Sequence, residues 1–168
     1  EIMHGNYPVM ANEVLSKLAD QELHKLGAES LIYTKEEQEF AEELYQTLVN
    51  ADSQIGDQTI IRPMVYSQGK GSTDVGDVSW MVPTTGVRVA TWVPGTSAHS
   101  WQAVAAGGTS IGTKGANLAA KALANTALQL YENPELIDAA WEEHRRNVGD
   151  HEYNSLLGDR KPPLDYRK

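Results

Sequence analysis

The feature that most constrains the fold is a change of character in the middle of the chain. Stretches with apolar residues at helical spacing stand on both sides of a middle segment, 59–93, that is rich in β-branched residues, glycine and proline. Helical spacing predicts amphipathic helices, whereas short β-branched runs bounded by turn residues predict strands. Because the two kinds of segment interleave, the pattern predicts an α/β layered fold rather than an all-helical one.

Four stretches carry helix signals. The first runs from about Ala11 to Leu26 and stops at Gly27, a residue that favours the backbone of a helix C-terminal cap. The second begins near Thr34, where the spacing T-x-x-E predicts a capping box. Two more cover 112–131 and the residues from Pro134 onward, since proline suits the first helical position.

Strand signals are fewer. Short extended pieces are predicted over 60–61 and 64–66, around Pro63, and a buried strand over 87–93. A sheet in a closed α/β domain usually has about four or more strands. The small number therefore indicates that part of the sheet belongs to chain outside this sequence.

Composition excludes several classes of protein. The 168 residues carry 23 acidic and 14 basic side chains, a formal charge of −9 that argues against nucleic acid as a partner. No apolar run approaches the roughly 18 residues that span a bilayer, and the N-terminus lacks the pattern of a signal peptide. The absence of cysteine excludes disulfides and thiolate metal sites, and we expect a cytoplasmic protein.

A glycine-rich loop, 71–80, holds two carboxylates three residues apart, Asp74 and Asp77. Such a loop can bring backbone N–H groups and a carboxylate to a ligand. The alternative is a turn whose aspartates bond nearby backbone or cap the following helix, and spacing alone favours this structural interpretation.

A single histidine, His99, follows the predicted strand and a tight turn. A neutral imidazole there could bind a metal or act in acid–base chemistry, although a lone histidine is more often structural. A Ser–His–Asp triad from Ser72 or Ser100 with His99 and Asp74 lacks the G-x-S-x-G motif that would support it.

Two further motifs have weaker signals. The glycine-rich run 107–115 contains Lys114 and precedes a helix, which is typical of an anion site, but it does not match the nucleotide-binding P-loop. A structural helix entry is the favoured interpretation. The run Glu142–Arg146 matches no metalloprotease motif and predicts a charged helix end.

Three of these stretches, in this order and spacing, resemble the aminobenzoyl-glutamate utilization protein B group of the aminoacylase and carboxypeptidase-like metallopeptidases. The most specific is the run Ser-Thr-Asp-Val-Gly-Asp-Val-Ser. Residues 10–15 and 33–41 are similar to the stretch where the family's inserted lid domain ends, so the resemblance covers roughly 6–147. The three stretches are Gly71–Thr84, Pro94–Gln102 and Lys114–Ala127.

The resemblance implies the C-terminal half of a mixed-sheet, zinc-peptidase-like catalytic domain with three layers, in which helices flank the sheet. It implies that 1–30 are the end of the lid and its connection, 31–157 the half-domain and 158–168 a tail. Half of such a domain would leave sheet edges and apolar helix faces uncovered. We therefore expect a homodimer or tight pairing with the missing N-terminal half.

The resemblance also implies chemistry. Two divalent ions, zinc or manganese, would activate a water that attacks an amide carbonyl, with a glutamate as general base. Most ligands and that glutamate precede the lid in the family, and this sequence shows no catalytic residue. His99 matches the one ligand from the C-terminal half, and Asp74 matches an acidic residue near the site, which Asp77 and Ser72 would help to shape. Thr113 stands before the Lys-Gly pair, at a position where the family commonly has a histidine.

The implied function is cleavage of the amide bond of an N-acyl amino acid such as p-aminobenzoyl-glutamate, without a nucleic-acid or membrane partner. The isolated chain should be inactive, because a lone histidine cannot hold a catalytic ion. Two alternatives stay open: a non-catalytic α/β interaction module derived from the family, and a small-anion-binding domain built on 107–115.

Overall fold

The computed structural model describes residues 4–67, 69, 71 and 73–161. Every regular element among these residues is a helix. Short 3-10 helices occur at Glu29–Leu31 and Asp57–Thr59. The α-helices are α1 (Glu13–Leu26), α2 (Lys35–Tyr45), α3 (Val75–Met81), α4 (Trp101–Gly107), α5 (Ser110–Glu132) and α6 (Pro134–Val148).

The predicted α/β fold, with a mixed sheet in three layers, is therefore wrong for the described part of this chain. Residues 60–66 and 87–93 form no strand. A strand is defined by a ladder of hydrogen bonds to a neighbouring strand, whereas β-branched composition only shows that side chains would fit a pleated surface. Neither segment finds such a neighbour among the described residues, so composition alone misidentified both.

The four predicted helices are confirmed. α1 ends immediately before Gly27, whose φ of 68° is the left-handed value expected after a helix. α2 has the predicted capping box, in which the Thr34 hydroxyl accepts from the Glu37 N–H and the Glu37 carboxylate accepts from the Thr34 N–H. The sequence did not predict α3 and α4, which have seven residues each and are too short to show a periodic pattern.

The chain divides into two compact units, each built from separate stretches. The first unit comprises the described parts of 1–16, 66–85 and 134–168, and the second comprises 17–65 and 86–133. The domain boundaries predicted from the resemblance remain a prediction.

The second unit has an apolar core. Small residues of α5 let it lie close to 87–93, since a Cβ at Gly115 would overlap the carbonyl oxygen of Ala90. This helix therefore lies close against an irregular segment and not a sheet. The buried members of the core are Ala41, Leu44, Val93, Ala106 and Ile111 in one cluster and Ala28, Leu31 and Leu118 in another.

In the first unit, polar side chains join the start of α1 to α6. The Asn12 side-chain amide donates to the carbonyl of Ala140 at 2.9 Å. The Glu143 carboxylate on α6 accepts from the backbone N–H groups of Glu13 and Val14 at 2.7 and 2.9 Å. Two buried polar side chains thus fix the start of α1 against α6, because the first N–H groups of a helix have no partner within it.

No helix among the residues with assigned structure combines the length and apolar character that a membrane crossing requires.

Candidate functional site

The two aspartates of the glycine-rich loop have different environments. Asp74 directly precedes α3, is exposed and makes no side-chain capping bond. Asp77, in the first turn of α3, accepts a hydrogen bond of 2.9 Å from the Tyr153 hydroxyl. Of the two predicted site-shaping carboxylates, Asp77 is therefore held by the protein and Asp74 faces solvent. Ser72, the third predicted site residue, lies outside the described residues.

α3 itself is held tightly by the segment before α1. The buried Ser79 hydroxyl accepts from the Met10 N–H at 2.8 Å and donates to the Gly76 carbonyl at 2.6 Å. Gly76 has no room for a side chain, because a Cβ there would overlap the carbonyl oxygen of Tyr7. The glycine in Asp-Val-Gly-Asp is thus required by close backbone packing of α3.

Four aromatic rings of the first unit form a cluster beside α3, which we call the aromatic cluster: Tyr7, Trp80, His151 and Tyr153. The Trp80 ring lies 4.8 Å from that of His151 and 5.3 Å from that of Tyr7. Tyr7 lies 5.2 Å from Tyr153 and 5.7 Å from His151. Such edge-on and tilted ring pairs are favourable beyond the area that they bury.

The bond between Tyr153 and Asp77 has an electrostatic consequence. It raises the pKa of the Tyr153 hydroxyl above its ordinary value, since ionisation would remove the donated proton and place a phenolate against a carboxylate. The protonated tyrosine is therefore the stable partner of Asp77 across the physiological range.

His99, the predicted metal ligand, lies in the second unit on the turn before α4. Its imidazole is exposed, and its φ of 58° is uncommon for any residue other than glycine. The adjacent Ser100 hydroxyl accepts from the Ala103 N–H at 3.2 Å and donates to the Ser97 carbonyl at 2.7 Å. Ser100 is thus the N-cap of α4, and Ser72, the other serine of the triad alternative, lies outside the described residues.

A metal centre needs several ligands in one place. Among the residues that the structure describes, no group of three or more His, Cys, Asp and Glu side chains gathers. An exposed imidazole on a turn fits one ligand position, because its ring nitrogens are accessible to an ion. The described residues therefore gather no complete metal centre, and the role of His99 as a ligand stays a prediction.

The glycine-rich run 107–115 leads into α5, but its lysine is already paired. The Lys114 ammonium donates to the Glu37 carboxylate at 2.5 Å and to the Ile32 carbonyl at 2.9 Å. The Ser110 hydroxyl donates to the same carboxylate. These contacts favour the structural interpretation of this helix start over an anion site.

The sequence predicted Glu37 as a member of a capping box, and the structure shows that its carboxylate is also buried. Burial by itself would raise the pKa of this carboxyl, but hydrogen bonds from Lys114, Ser110 and the Thr34 N–H outweigh that effect and lower the pKa below its ordinary value. Nearby, burial and then the Glu37 charge raise the pKa of Tyr33 to about 12. No sequence motif signals these interactions, which depend on α5 packing against α2.

No protein-family model matches the chain, and no solved structure matches it. Among characterised proteins, the B subunit of p-aminobenzoyl-glutamate hydrolase from Escherichia coli (strain K12) is 43% identical over 75 residues. Over that stretch the chain is a relative of a hydrolase component. The match covers 45% of this chain and 16% of the relative, so this chain spans only a small part of the relative's length. The resemblance found from the sequence motifs is thereby confirmed for part of the chain.

Proposed function

We propose that this chain is the C-terminal part of a metal-dependent amidohydrolase that cleaves an N-acyl amino acid such as p-aminobenzoyl-glutamate. The observation that carries the proposal is the 43% identity to the p-aminobenzoyl-glutamate hydrolase component over 75 residues. The motifs around Asp74 and His99 support it, because each of these side chains is exposed and so open to a ligand. We expect the enzyme to act in the cytoplasm.

In this proposal His99 supplies one ligand to a pair of zinc or manganese ions. When bound, such ions supply an activated water and polarise the amide carbonyl. The turn before α4 holds the imidazole outward at a positive φ, a conformation that costs about 1–2 kcal/mol for a residue with a side chain. Strained residues of this kind cluster at functional sites, so the backbone of His99 agrees with a ligand role.

The proposal includes a partner that completes the site: the N-terminal half of the same polypeptide or a second copy of the chain. Large apolar side chains stay uncovered in the second unit, among them Val65 at 77% and Val104 at 78% exposure. Exposed apolar side chains are typical of surfaces that another chain covers. We expect the isolated chain to be inactive, since one histidine ligand cannot hold a catalytic ion.

The decisive experiment compares the complete protein that contains this segment with its His99→Ala variant. Release of p-aminobenzoate from p-aminobenzoyl-glutamate is measured with added manganese or zinc, and bound metal is measured by elemental analysis. We expect the variant to lose at least one equivalent of metal and nearly all activity. His24→Ala is the matched control, because His24 is also exposed but bonds only within α1.

The outcomes separate the parts of the proposal. Activity that survives His99→Ala would contradict the ligand role and leave the hydrolase function standing. A complete protein that binds no metal and cleaves no acyl amino acid would favour the second candidate, a non-catalytic interaction module. That candidate is favoured by one observation, namely that the described residues gather no ligand group.

A further inference from the structure

We infer that Tyr153 is a positioning residue for the Asp74 carboxylate of the proposed hydrolase, acting through Asp77 on the turn that presents Asp74. The inference rests on the proposed function and adds a residue beyond the motifs that carry the resemblance. It makes the segment after α6 part of the site's architecture.

The first step is the contact between Tyr153 and Asp77. The phenol donates to the Asp77 carboxylate at 2.9 Å across 76 residues of sequence. Hydrogen bonds to a charged acceptor are about twice as strong as neutral ones and prefer a defined direction. Tyr153 therefore fixes the side chain of Asp77, and with it the first turn of α3.

The second step is the state of Asp74. This residue stands at the N-cap position of α3, where an aspartate side chain commonly bonds the helix N–H groups and contributes about 1 kcal/mol. Its backbone is helical, with φ −73° and ψ −11°, and its side chain makes no capping bond. The carboxylate is thus left accessible, while the turn behind it is held by other residues.

The third step is the packing of Tyr153 in the aromatic cluster. Its ring lies 5.2 Å from that of Tyr7, and the Tyr7 hydroxyl donates to the Asn154 carbonyl at 3.2 Å. Trp80 joins α3 to the segment before α1, because its indole N–H donates to the Pro8 carbonyl at 3.0 Å. The cluster brings the two tyrosine rings close in space but gives their hydroxyls different acceptors, a carboxylate for Tyr153 and a backbone carbonyl for Tyr7.

This difference provides a matched pair of variants. Tyr153→Phe removes the bond to Asp77, and Tyr7→Phe removes a bond of the same cluster that does not involve α3. In the complete protein we expect Tyr153→Phe to lower kcat for p-aminobenzoyl-glutamate about 10-fold, the low end for losing a group that orients a site residue. We expect KM to change less than about twofold, and Tyr7→Phe to leave both constants near the wild-type values.

A second measurement tests the hydrogen bond between Tyr153 and Asp77 without an activity assay. Tyrosine labelled with carbon-13 at Cζ reports the ionisation of each hydroxyl by nuclear magnetic resonance. We expect Asp77→Asn to bring the pKa of Tyr153 down toward its ordinary value of 10.0, because the carboxylate that opposes ionisation is gone. Amide hydrogen exchange in Tyr153→Phe should accelerate over Val75–Asp77 and not over α6.

Equal losses of kcat in the two phenylalanine variants would overturn the inference, since the cluster would then act only through stability. An unchanged kcat in Tyr153→Phe would overturn it as well. If the complete protein hydrolyses no acyl amino acid, the proposed function has failed and the exchange experiment decides. Acceleration confined to Val75–Asp77 then supports the positioning contact, and uniform acceleration throughout the first unit contradicts it.

Discussion

The two units of this protein each bury a glutamate, and they satisfy its charge in different ways. In the second unit Glu37 faces the ammonium of Lys114 at 2.5 Å. In the first unit Glu143 accepts only backbone N–H groups, those of Glu13 and Val14 at the start of α1. One carboxylate is neutralised by an opposite full charge, and the other by the partial positive charge of a helix N-terminus.

The two glutamates also lie in units that bury different amounts of hydrocarbon. The second unit contains most of the buried apolar side chains described, whereas Leu15 and Ala140 are the buried apolar residues described in the first. A unit with an apolar core can tolerate one ion pair, because burial of hydrocarbon supplies most of its stability. Directed polar contacts supply a larger share of the stability of the first unit, yet Glu143→Gln keeps one acceptor there, whereas loss of Lys114 in the second unit leaves a buried charge unpaired.

The largest effect is expected from breaking the ion pair of the second unit. Lys114→Met keeps the length of the side chain but leaves the Glu37 carboxylate buried without a counter-charge. We expect the free energy of unfolding to fall by about 3 kcal/mol, the low end for removing one partner of a buried pair. Urea denaturation measures this loss, and Lys121→Met, at an exposed position of α5, is the control. A loss equal to that of the control would show that the pair contributes nothing.

A smaller effect is expected from the carboxylate of the first unit. Glu143→Gln retains one acceptor but turns an amide toward the second backbone N–H and removes the charge at the helix start. We expect a loss of about 2 kcal/mol in the free energy of unfolding. Its neighbour Glu142 is exposed, and Glu142→Gln should change stability by less than about 0.5 kcal/mol. Near-equal values for the two variants would contradict the capping role of Glu143.

The smallest effect is a pH dependence that belongs to Glu37. Because its pKa in the folded protein is lowered, the pair contributes stability above the ordinary value of 4.5, and this contribution is lost as the pH falls below that value. The difference in unfolding free energy between wild type and Glu37→Gln should therefore shrink on going from neutral to acidic pH. Glu39→Gln, at an exposed position of the same helix, is the control. A difference that stays constant across the acidic range would contradict the lowered pKa.

Local signals in the sequence were sufficient for the long helices. The capping box at Thr34, the stop at Gly27 and the proline that begins α6 each act within one turn of chain, so their outcome does not depend on distant residues. The motifs around Asp74 and His99 also identified the relative, since an ordered run of residue types survives in sequence whatever the chain packs against.

Tertiary structure decided what local signals left open. Residues 87–93 have strand composition, but a strand needs a partner, and α5 covers this segment instead by way of Gly115. For 107–115 the sequence favoured a structural helix entry and left an anion site open, and for 142–146 it predicted a charged helix end. Packing placed Lys114 on Glu37 and Glu143 on the start of α1.

The sequence by itself thus determined where the four longer helices lie and which known protein part of the chain resembles. The tertiary structure alone decided that the described residues form no sheet, that Asp77 is held by Tyr153 while Asp74 is accessible, and that Glu37 and Glu143 are buried. The physical reason is the range of the interactions. Caps and periodic faces are set by neighbours within a few residues, whereas strand pairing and the solvation of a charge depend on groups that only folding brings together.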